Sequence, residues 1–348
     1  TYSIDADDVE TIAIKMSDAS VLGLSGSAMT AAGAKSTLLL TGDSAATLSS
    51  VNADITTIDA SGMTTGGSVT QTARSSTSAV DYTGSVGNDT FIMMNAGDNL
   101  DGGLDGSDTL DINVAAILGG IQVDLSATGD QIASLNGGSN TGTVQNFNSV
   151  DLAGYTGSFG AIVTAKGTGS TIVGTGNADQ ITGGLGADTI TGGLGIDVIA
   201  LGSGSDTVIL TDDTANNHSV ISGFATANDK ITFDESAFAS INFAATGAVA
   251  DLAAGDYNEI AALGTLVVDK VNVITTAAGY GDYDTAFAAV TAAAAGEVLV
   301  AFFNSATAKT EIYFDADGSD DAGEVLVAQI DIVGANVVNL SEANFATL

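Results

Sequence analysis

Short apolar runs recur along this chain between clusters of Gly, Ser, Asp and Asn, and the 3.6-residue period of an amphipathic helix is nearly absent. The runs Val9–Ile14, Leu38–Thr41, Ile55–Asp59, Ala79–Thr83, Thr90–Met94, Thr109–Ile112, Ile121–Leu125, Ser149–Leu152 and Gly160–Thr164 predict strands. Short strands this closely spaced, with no helices between them, form an all-β pattern suited to a sandwich, a barrel or a parallel solenoid; an internal repeat decides among the three. The exception is C-terminal. There Asp284–Ala295 predicts a helix, with Asp284 as N-cap, Phe287 and Val290 on one face and Gly296 as its stop. Strands at Val298–Phe303, Glu311–Phe314 and Val325–Ile332 follow it.

The repeat lies at Gly174–Ile209, which parses into four nonapeptides: Gly174-Thr-Gly-Asn-Ala-Asp179-Gln-Ile181-Thr, Gly183-Gly-Leu-Gly-Ala-Asp188-Thr-Ile190-Thr, Gly192-Gly-Leu-Gly-Ile-Asp197-Val-Ile199-Ala and Leu201-Gly-Ser-Gly-Ser-Asp206-Thr-Val208-Ile. With Asp at about one residue in ten, three further hits at +9 have a chance of roughly one in a thousand, before the glycines and the apolar residue after each Asp are counted. The pattern is GGxGxDxUx, a calcium-binding parallel β-roll repeat. Six residues turn, and the last three form a short strand whose apolar residue (Ile181, Ile190, Ile199, Val208) points into the roll. Two nonapeptides make one coil, so Asp179 is expected to face Asp197 on one edge, and Asp188 to face Asp206 on the other. Carboxylates pressed together repel unless a cation lies between them, and an all-oxygen site with loop carbonyls suits Ca²⁺ better than Zn²⁺ or Mg²⁺. The loop glycines Gly184, Gly186, Gly193, Gly195, Gly202 and Gly204 reach positive φ freely and let carbonyls approach the ion. The bland alternative for these acids is a solvated turn.

A less regular block precedes the roll. Gly84-Ser-Val-Gly-Asn-Asp89-Thr-Phe91 keeps the pattern, Asp98 follows at +9 with Leu100 in the apolar slot, and Gly102-Gly-Leu-Asp-Gly-Ser-Asp108-Thr-Leu110 carries one inserted residue. Asp89 and Asp108 are candidates to share an ion. The expected organisation is solenoid coils without the calcium motif at 1–83, an irregular repeat block at 84–112, an irregular solenoid continuation at 113–173, the main roll and exit coil at 174–233, and a C-terminal secretion or assembly module at 234–348. Phe224 and Phe233 are expected to cover the open end of the roll.

Composition sharpens this picture by exclusion. The 348 residues carry 42 acidic and seven basic side chains, a net charge of −35, one His, and no Cys, Pro or Trp. Seven scattered cations make no basic surface for nucleic acid or anionic lipid. Without Cys there is no disulfide framework, thiolate zinc site or Cys nucleophile, and one His rules out an HExxH centre. The 45% apolar fraction argues for a folded protein, and no apolar run is long enough to insert in a membrane. The chain opens on Thr1 with no leader-like run after it, and is expected to belong to a longer or processed product. Asp315, Asp317 and Asp320 lack the Gly and Glu of an EF-hand loop and read as an acidic hairpin loop. Asp212 and Asp213 either close the last calcium site or lie in a solvated turn. His218 reads as an exposed turn residue, with no G-x-S-x-G nucleophile elbow or Walker A motif for it to serve, so no catalytic residues are assigned and the chain is not expected to be an enzyme.

The four nonapeptides, the upstream Gly-Asn-Asp89-Thr-Phe and Gly-Gly-Leu-Asp-Gly-Ser-Asp108-Thr-Leu segments and the acidic, Cys-free composition resemble the RTX (repeats-in-toxin) calcium-binding proteins of bacterial type I secretion. The Thr/Ala/Ser-rich coils, such as Thr57-Ile-Asp-Ala-Ser-Gly-Met, resemble the subset that builds surface layers, and Tyr313-Phe-Asp-Ala-Asp-Gly resembles the C-terminal secretion region. The resemblance implies a right-handed parallel β-roll or β-solenoid followed by a strand-rich module with one helix. It implies several Ca²⁺ ions held at Asp179, Asp188, Asp197 and Asp206, and also at Asp89, Asp98 and Asp108. Thr175 and Asn177 in the first repeat and Leu201 in the last depart from the Gly pattern. The function so implied is that of an extracellular structural protein at the bacterial surface, folding on calcium and assembling with copies of itself into a lattice or filament. Cell-surface polysaccharide is a further candidate partner, and type I machinery is the export route. The alternatives are the C-terminal part of a large RTX adhesin and the export appendage of a secreted hydrolase or toxin.

Overall fold

The computed structural model describes residues 2–4, 10–24, 36–74, 78–114, 119–135, 138, 140–211, 214, 217–234, 236–238, 250–251, 257–260, 271–274, 279–288, 297–316, 324–332 and 339–347. It comprises two compact units, one of Thr1–Lys166 with Thr171–Thr175, the other of Gly167–Ser170 with Gly176–Leu348. Among the described residues no helix is long and apolar enough to cross a membrane.

In the first unit the chain alternates between two parallel sheets. One holds Tyr2–Ile4, Ser20–Leu24, Ala46–Val51, Val69–Gln71, Thr90–Met93, Thr109–Ile112, Ser149–Asp151 and Thr171–Val173, side by side in that order. The other holds Thr11–Met16, Ser36–Gly42, Ile55–Met63, Asp81–Thr83, Asn99–Asp101 and Val144–Gln145. Parallel register stacks like positions into inward columns. Phe91, Leu110, Val150 and Ile172 form one, and Ile58, Tyr82, Leu100 and Val144 another, all at most 1% exposed. Each such side chain contributes about 1.5–3 kcal/mol by leaving water, so the columns hold the coils together. The stretch 113–173 also departs from regular coils: Ile121–Asp124 pairs parallel with Ala161–Thr164 and antiparallel with Ile132–Leu135.

The second unit contains the roll. Gln180–Thr182, Ile196–Ala200 and His218–Ser222 pair in parallel on one face, and Thr189–Thr191, Thr207–Leu210 and Lys230–Phe233 on the other. Ile181 lies beside Ile199 and Ile190 beside Val208, the two-nonapeptide coil that the repeat predicts. All four are at most 1% exposed.

The end of the roll differs from expectation. Phe224 and Phe233 do not cap it; both edges accept further strands, because Val325–Ile330 pairs parallel with His218–Ser222 and Phe345–Thr347 with Lys230–Phe233. Phe233 is instead core, stacked on Phe345 at 6.3 Å and edge-on to Phe238 at 5.5 Å. Beyond Val325–Ile330 the sheet turns antiparallel through Lys309–Asp315 and Val298–Asn304, then adds Val271–Ile274 and Tyr257–Ile260 in parallel. The helix spans Tyr283–Ala288, and Tyr283, Ala286 and Phe287 pack against Ile274, Val298, Val300 and Phe302. The rest of the expected helix, 289–295, and its stop at Gly296 lie outside the described residues.

Candidate functional site

Each nonapeptide loop brings backbone against backbone. Gly202 (φ +93) and Gly204 (φ +142) adopt the left-handed region, and a Cβ on either would overlap the carbonyl oxygen of Gly184 or Gly186 in the neighbouring coil. Gly193 and Gly195 share the positive φ. Gly186 does not, and is required because a Cβ there would overlap the Gly169 backbone. Gly184 donates its N–H to Asp188 Oδ2 at 2.7 Å and accepts from Ser203 N–H at 3.1 Å.

These close approaches seal the sixth-position acids. Asp179, Asp188, Asp197 and Asp206 are each 1% exposed. The coil spacing is as expected, but the acids do not meet carboxylate to carboxylate. Asp197 Oδ1 accepts the Asp179 backbone N–H at 2.9 Å, and Asp206 Oδ1 accepts that of Asp188 at 2.9 Å, each across 18 residues. Asp188 Oδ1 likewise accepts the Ser170 N–H at 2.7 Å. A carboxylate shut away from water takes the nearest free donor, and a loop N–H supplies one. Asp188, Asp197 and Asp206 therefore each tie their own coil to the previous one.

The hydrogen bonds do not settle the charge. Burial pushes Asp197 up to about 7, against the lowering effect of the Asp179 N–H and with the Asp179 charge adding to the rise. Burial also raises Asp188 and Asp206. Asp206 Oδ2 is buried with no hydrogen-bond partner. Such an acceptor-only oxygen, beside a second acid and glycine loops free of side chains, fits a hard cation. Among the described residues no three His, Asp or Glu side chains converge. Any ion held there needs main-chain carbonyls to complete its shell, which is the donor set a glycine loop presents.

In the first unit the column survives the inserted residue. Asp105 (φ +62) and Gly106 (φ +79) absorb it, and Asp108 Oδ1 still accepts the Asp89 N–H at 2.8 Å. Asp108 repeats the situation of the main roll: Oδ2 is buried without a partner, and burial pushes the group up to about 7. Asp89 is fully buried and accepts the N–H groups of Val69 and Ser85 and the Ser85 hydroxyl. Asp98 corrects the expectation. It is fully buried, but the guanidinium of Arg74 occupies it, with Nη1 at 2.6 Å from Oδ2 and Nη2 at 2.9 Å from Oδ1. The N–H groups of Val80, Met94 and Asn95 fill its remaining acceptor sites. No open oxygen is left for a metal.

Asp315 is not in an acidic loop. It ends a strand, fully buried, and accepts the Tyr283 hydroxyl at 2.7 Å. Asp317 and Asp320, and likewise Asp212 and Asp213, lie outside the described residues. His218 opens a strand, half-buried; burial lowers its pKa and the Glu311 charge opposes this. Two column members escaped the repeat spacing. Asp229 Oδ1 accepts the Asp206 N–H at 3.0 Å across 23 residues, and Asn217 Oδ1 accepts that of Gly195 at 2.7 Å across 22. The Asp-x-Ile of Asp229-Lys-Ile231 was the available signal.

Outside the loops, burial also raises a strand acid. Asp111 lies beside Asp151 in the parallel register, and burial, then the Asp151 charge, pushes it up to about 6. The unfolded chain releases this proton near its ordinary value of 3.8, so stability is lost as pH rises through about 6. Asp111→Asn is expected to raise stability at pH 7.5 by up to about 1 kcal/mol, or about 2–4 °C in Tm, with no gain below pH 4. Equal Tm shifts at both pH values would contradict the assignment.

Residues 171–208 match the model of the RTX calcium-binding nonapeptide repeat, in four copies. No curated protein is significantly similar to the chain. The match covers both column pairs of the main roll, from Asp179 to Asp206, and proteins with this repeat bind Ca²⁺ at several sites and are typically secreted. The coil register and the matched repeats together show that this chain carries an RTX calcium-binding nonapeptide repeat, folded as a parallel β-roll.

Proposed function

We propose that the chain is a structural protein of the bacterial cell surface that folds on calcium outside the cell and self-associates into a surface layer or filament. In this reading Asp179, Asp188, Asp197 and Asp206, with Asp89 and Asp108, supply carboxylate ligands, and the loops bearing Gly184, Gly186, Gly193, Gly195, Gly202 and Gly204 supply carbonyls. Inside the cell, at low free calcium, the acidic loops repel and the chain stays open for type I export; outside, millimolar calcium stabilises only the folded form. Catalysis has no part in this reading. The partners are copies of the chain, with cell-surface polysaccharide as the anchoring candidate.

The observation that supports assembly is the outward placement of apolar side chains on so anionic a protein. Leu185 is 76% and Leu194 46% exposed at the third loop position, and Ile196 and Val198 are 43% and 50% exposed on the outer side of their sheet. Ile196 and Val198 form an adjacent outward pair on one strand, Leu185 and Leu194 stand on opposite loop edges, and exposed apolar groups so placed favour contact with neighbouring copies; divalent cations reduce the repulsion between chains of net charge −35. Electron microscopy is expected to show ordered arrays with millimolar calcium and none in chelator. The Leu185→Ser/Leu194→Ser double variant should bind calcium normally yet remain monomeric. A parent chain that stays monomeric in calcium at every concentration would sink the proposal.

A further inference from the structure

Asp98 occupies the same structural slot as the calcium-column acids. In Asp188, one carboxylate oxygen accepts an N–H from the previous coil (Ser170) and the other an N–H four residues back (Gly184). Asp89 repeats this with Val69 and Ser85, and Asp229 with Asp206 and Ala225. Asp98 repeats it with Val80 and Met94. What differs is the cation. Asp108 and Asp206 each keep a buried, unpartnered oxygen, whereas Asp98 holds a guanidinium in the two-pronged geometry that suits carboxylates best.

Arg74 is placed as an ion would be. It is the only arginine of the chain, its side chain is fully buried, and its remaining contacts are main-chain carbonyls, Ile92 O at 3.2 Å and Ser78 O at 2.7 Å. A carboxylate plus loop carbonyls is the oxygen set that a hard cation takes in such loops. The Tyr82 ring, buried in the adjacent inward column, lies 5.8 Å from the guanidinium carbon and favours a fixed positive charge there. Lysine would not serve equally, since its ammonium is a point charge without the planar fork.

We propose that Arg74 is a built-in cation that takes the place of calcium at Asp98, so that this edge of the first unit holds its coil without the metal while the Asp89–Asp108 edge and the main roll require it. The proposal rests on the calcium reading of the other columns. Its consequence is a chain with two classes of coil: one closed by its own arginine and ready at any calcium concentration, the others waiting for the ion.

Hydrogen exchange by mass spectrometry on the full chain, in calcium and in EGTA, tests this. The amides held by Asp98 are those of Val80, Met94 and Asn95, and those held by the column acids include Asp179 and Asp188. In EGTA, peptides spanning 78–84 and 92–98 should keep their protection within about tenfold, whereas peptides spanning 176–190 should lose at least about a hundredfold. Equal loss in both sets would overturn the proposal. Should neither set lose protection, the calcium reading of the roll fails, and Arg74→Gln decides the arginine's role by itself. Loss of protection at 78–84 and 92–98 in that variant supports it, and full retention overturns it. As a check that needs no change at Arg74, Asp98→Asn should leave the number of bound calcium ions at the parent value; one ion fewer would show that Asp98 is a calcium ligand after all.

Discussion

Chelation of calcium is expected to convert most of the strand signal of the second unit to coil in one cooperative step, reversed by adding calcium back. At a tenfold excess over its Kd, each bound ion adds about 1.4 kcal/mol. Four linked sites then add about 6 kcal/mol, against a total stability of about 5–15 kcal/mol for a domain. Without the ions, charging the buried acids costs stability: burial and the Asp179 charge push Asp197 up to about 7, and Asp206 keeps a buried oxygen with no hydrogen-bond donor. Circular dichroism in EGTA measures the effect. A spectrum identical to that in calcium would remove the ion from the account of the fold.

Asp188→Ala is expected to produce the second large effect. It strands the Ser170 and Gly184 N–H groups inside the loop, at about 1–3 kcal/mol each, and removes a carboxylate from the column in which the Asp188 N–H itself binds Asp206. A destabilisation of about 2–5 kcal/mol, with at least one calcium ion fewer per chain, should appear in thermal unfolding and equilibrium dialysis. Asp212→Ala should cost far less. Asp188→Asn separates the two roles: the amide oxygen keeps one hydrogen bond, so part of the stability returns while the ion does not. Unchanged calcium stoichiometry in the alanine variant would show that the register of ligands is wrong.

The main roll was legible because one nonapeptide records three separate demands at once: glycine where coils touch, Asp where N–H groups converge, and Ile or Val where the interior begins. The coils before residue 83 leave no such record. Ala46–Val51 is a strand built largely of Ala, Thr and Ser, with Leu48 facing inward, and it was missed along with Ser20–Leu24 and Val69–Gln71. Coil lengths there also vary, so no fixed period appears: Thr11 pairs with Thr37, but Ser36 with Ile55. Among the sites, the acidic slots could be read from spacing, but their occupants could not. Whether Asp98 faces an ion or a guanidinium depends on Arg74, 24 residues earlier and outside the motif. Asp315 failed for the opposite reason: its neighbours in sequence are acidic, but its partner in space is a tyrosine from the helix.

The re-entry of the C-terminal strands has a kinetic consequence. Coils within the repeat close over 18 residues. The last coil instead joins Ser219 to Ala328 and Ile231 to Phe345, closures of roughly 110 residues, at an added chain-entropy cost of about 1.6 kcal/mol, or about fifteenfold in probability. The roll therefore zips early and its final strands dock late. In that interval His218–Ser222 and Lys230–Phe233 present bare parallel edges, and a terminal segment from another molecule matches them as well as the chain's own. Strand exchange between neighbouring chains is thus a competitor of correct closure, and it gains on it in proportion to chain concentration.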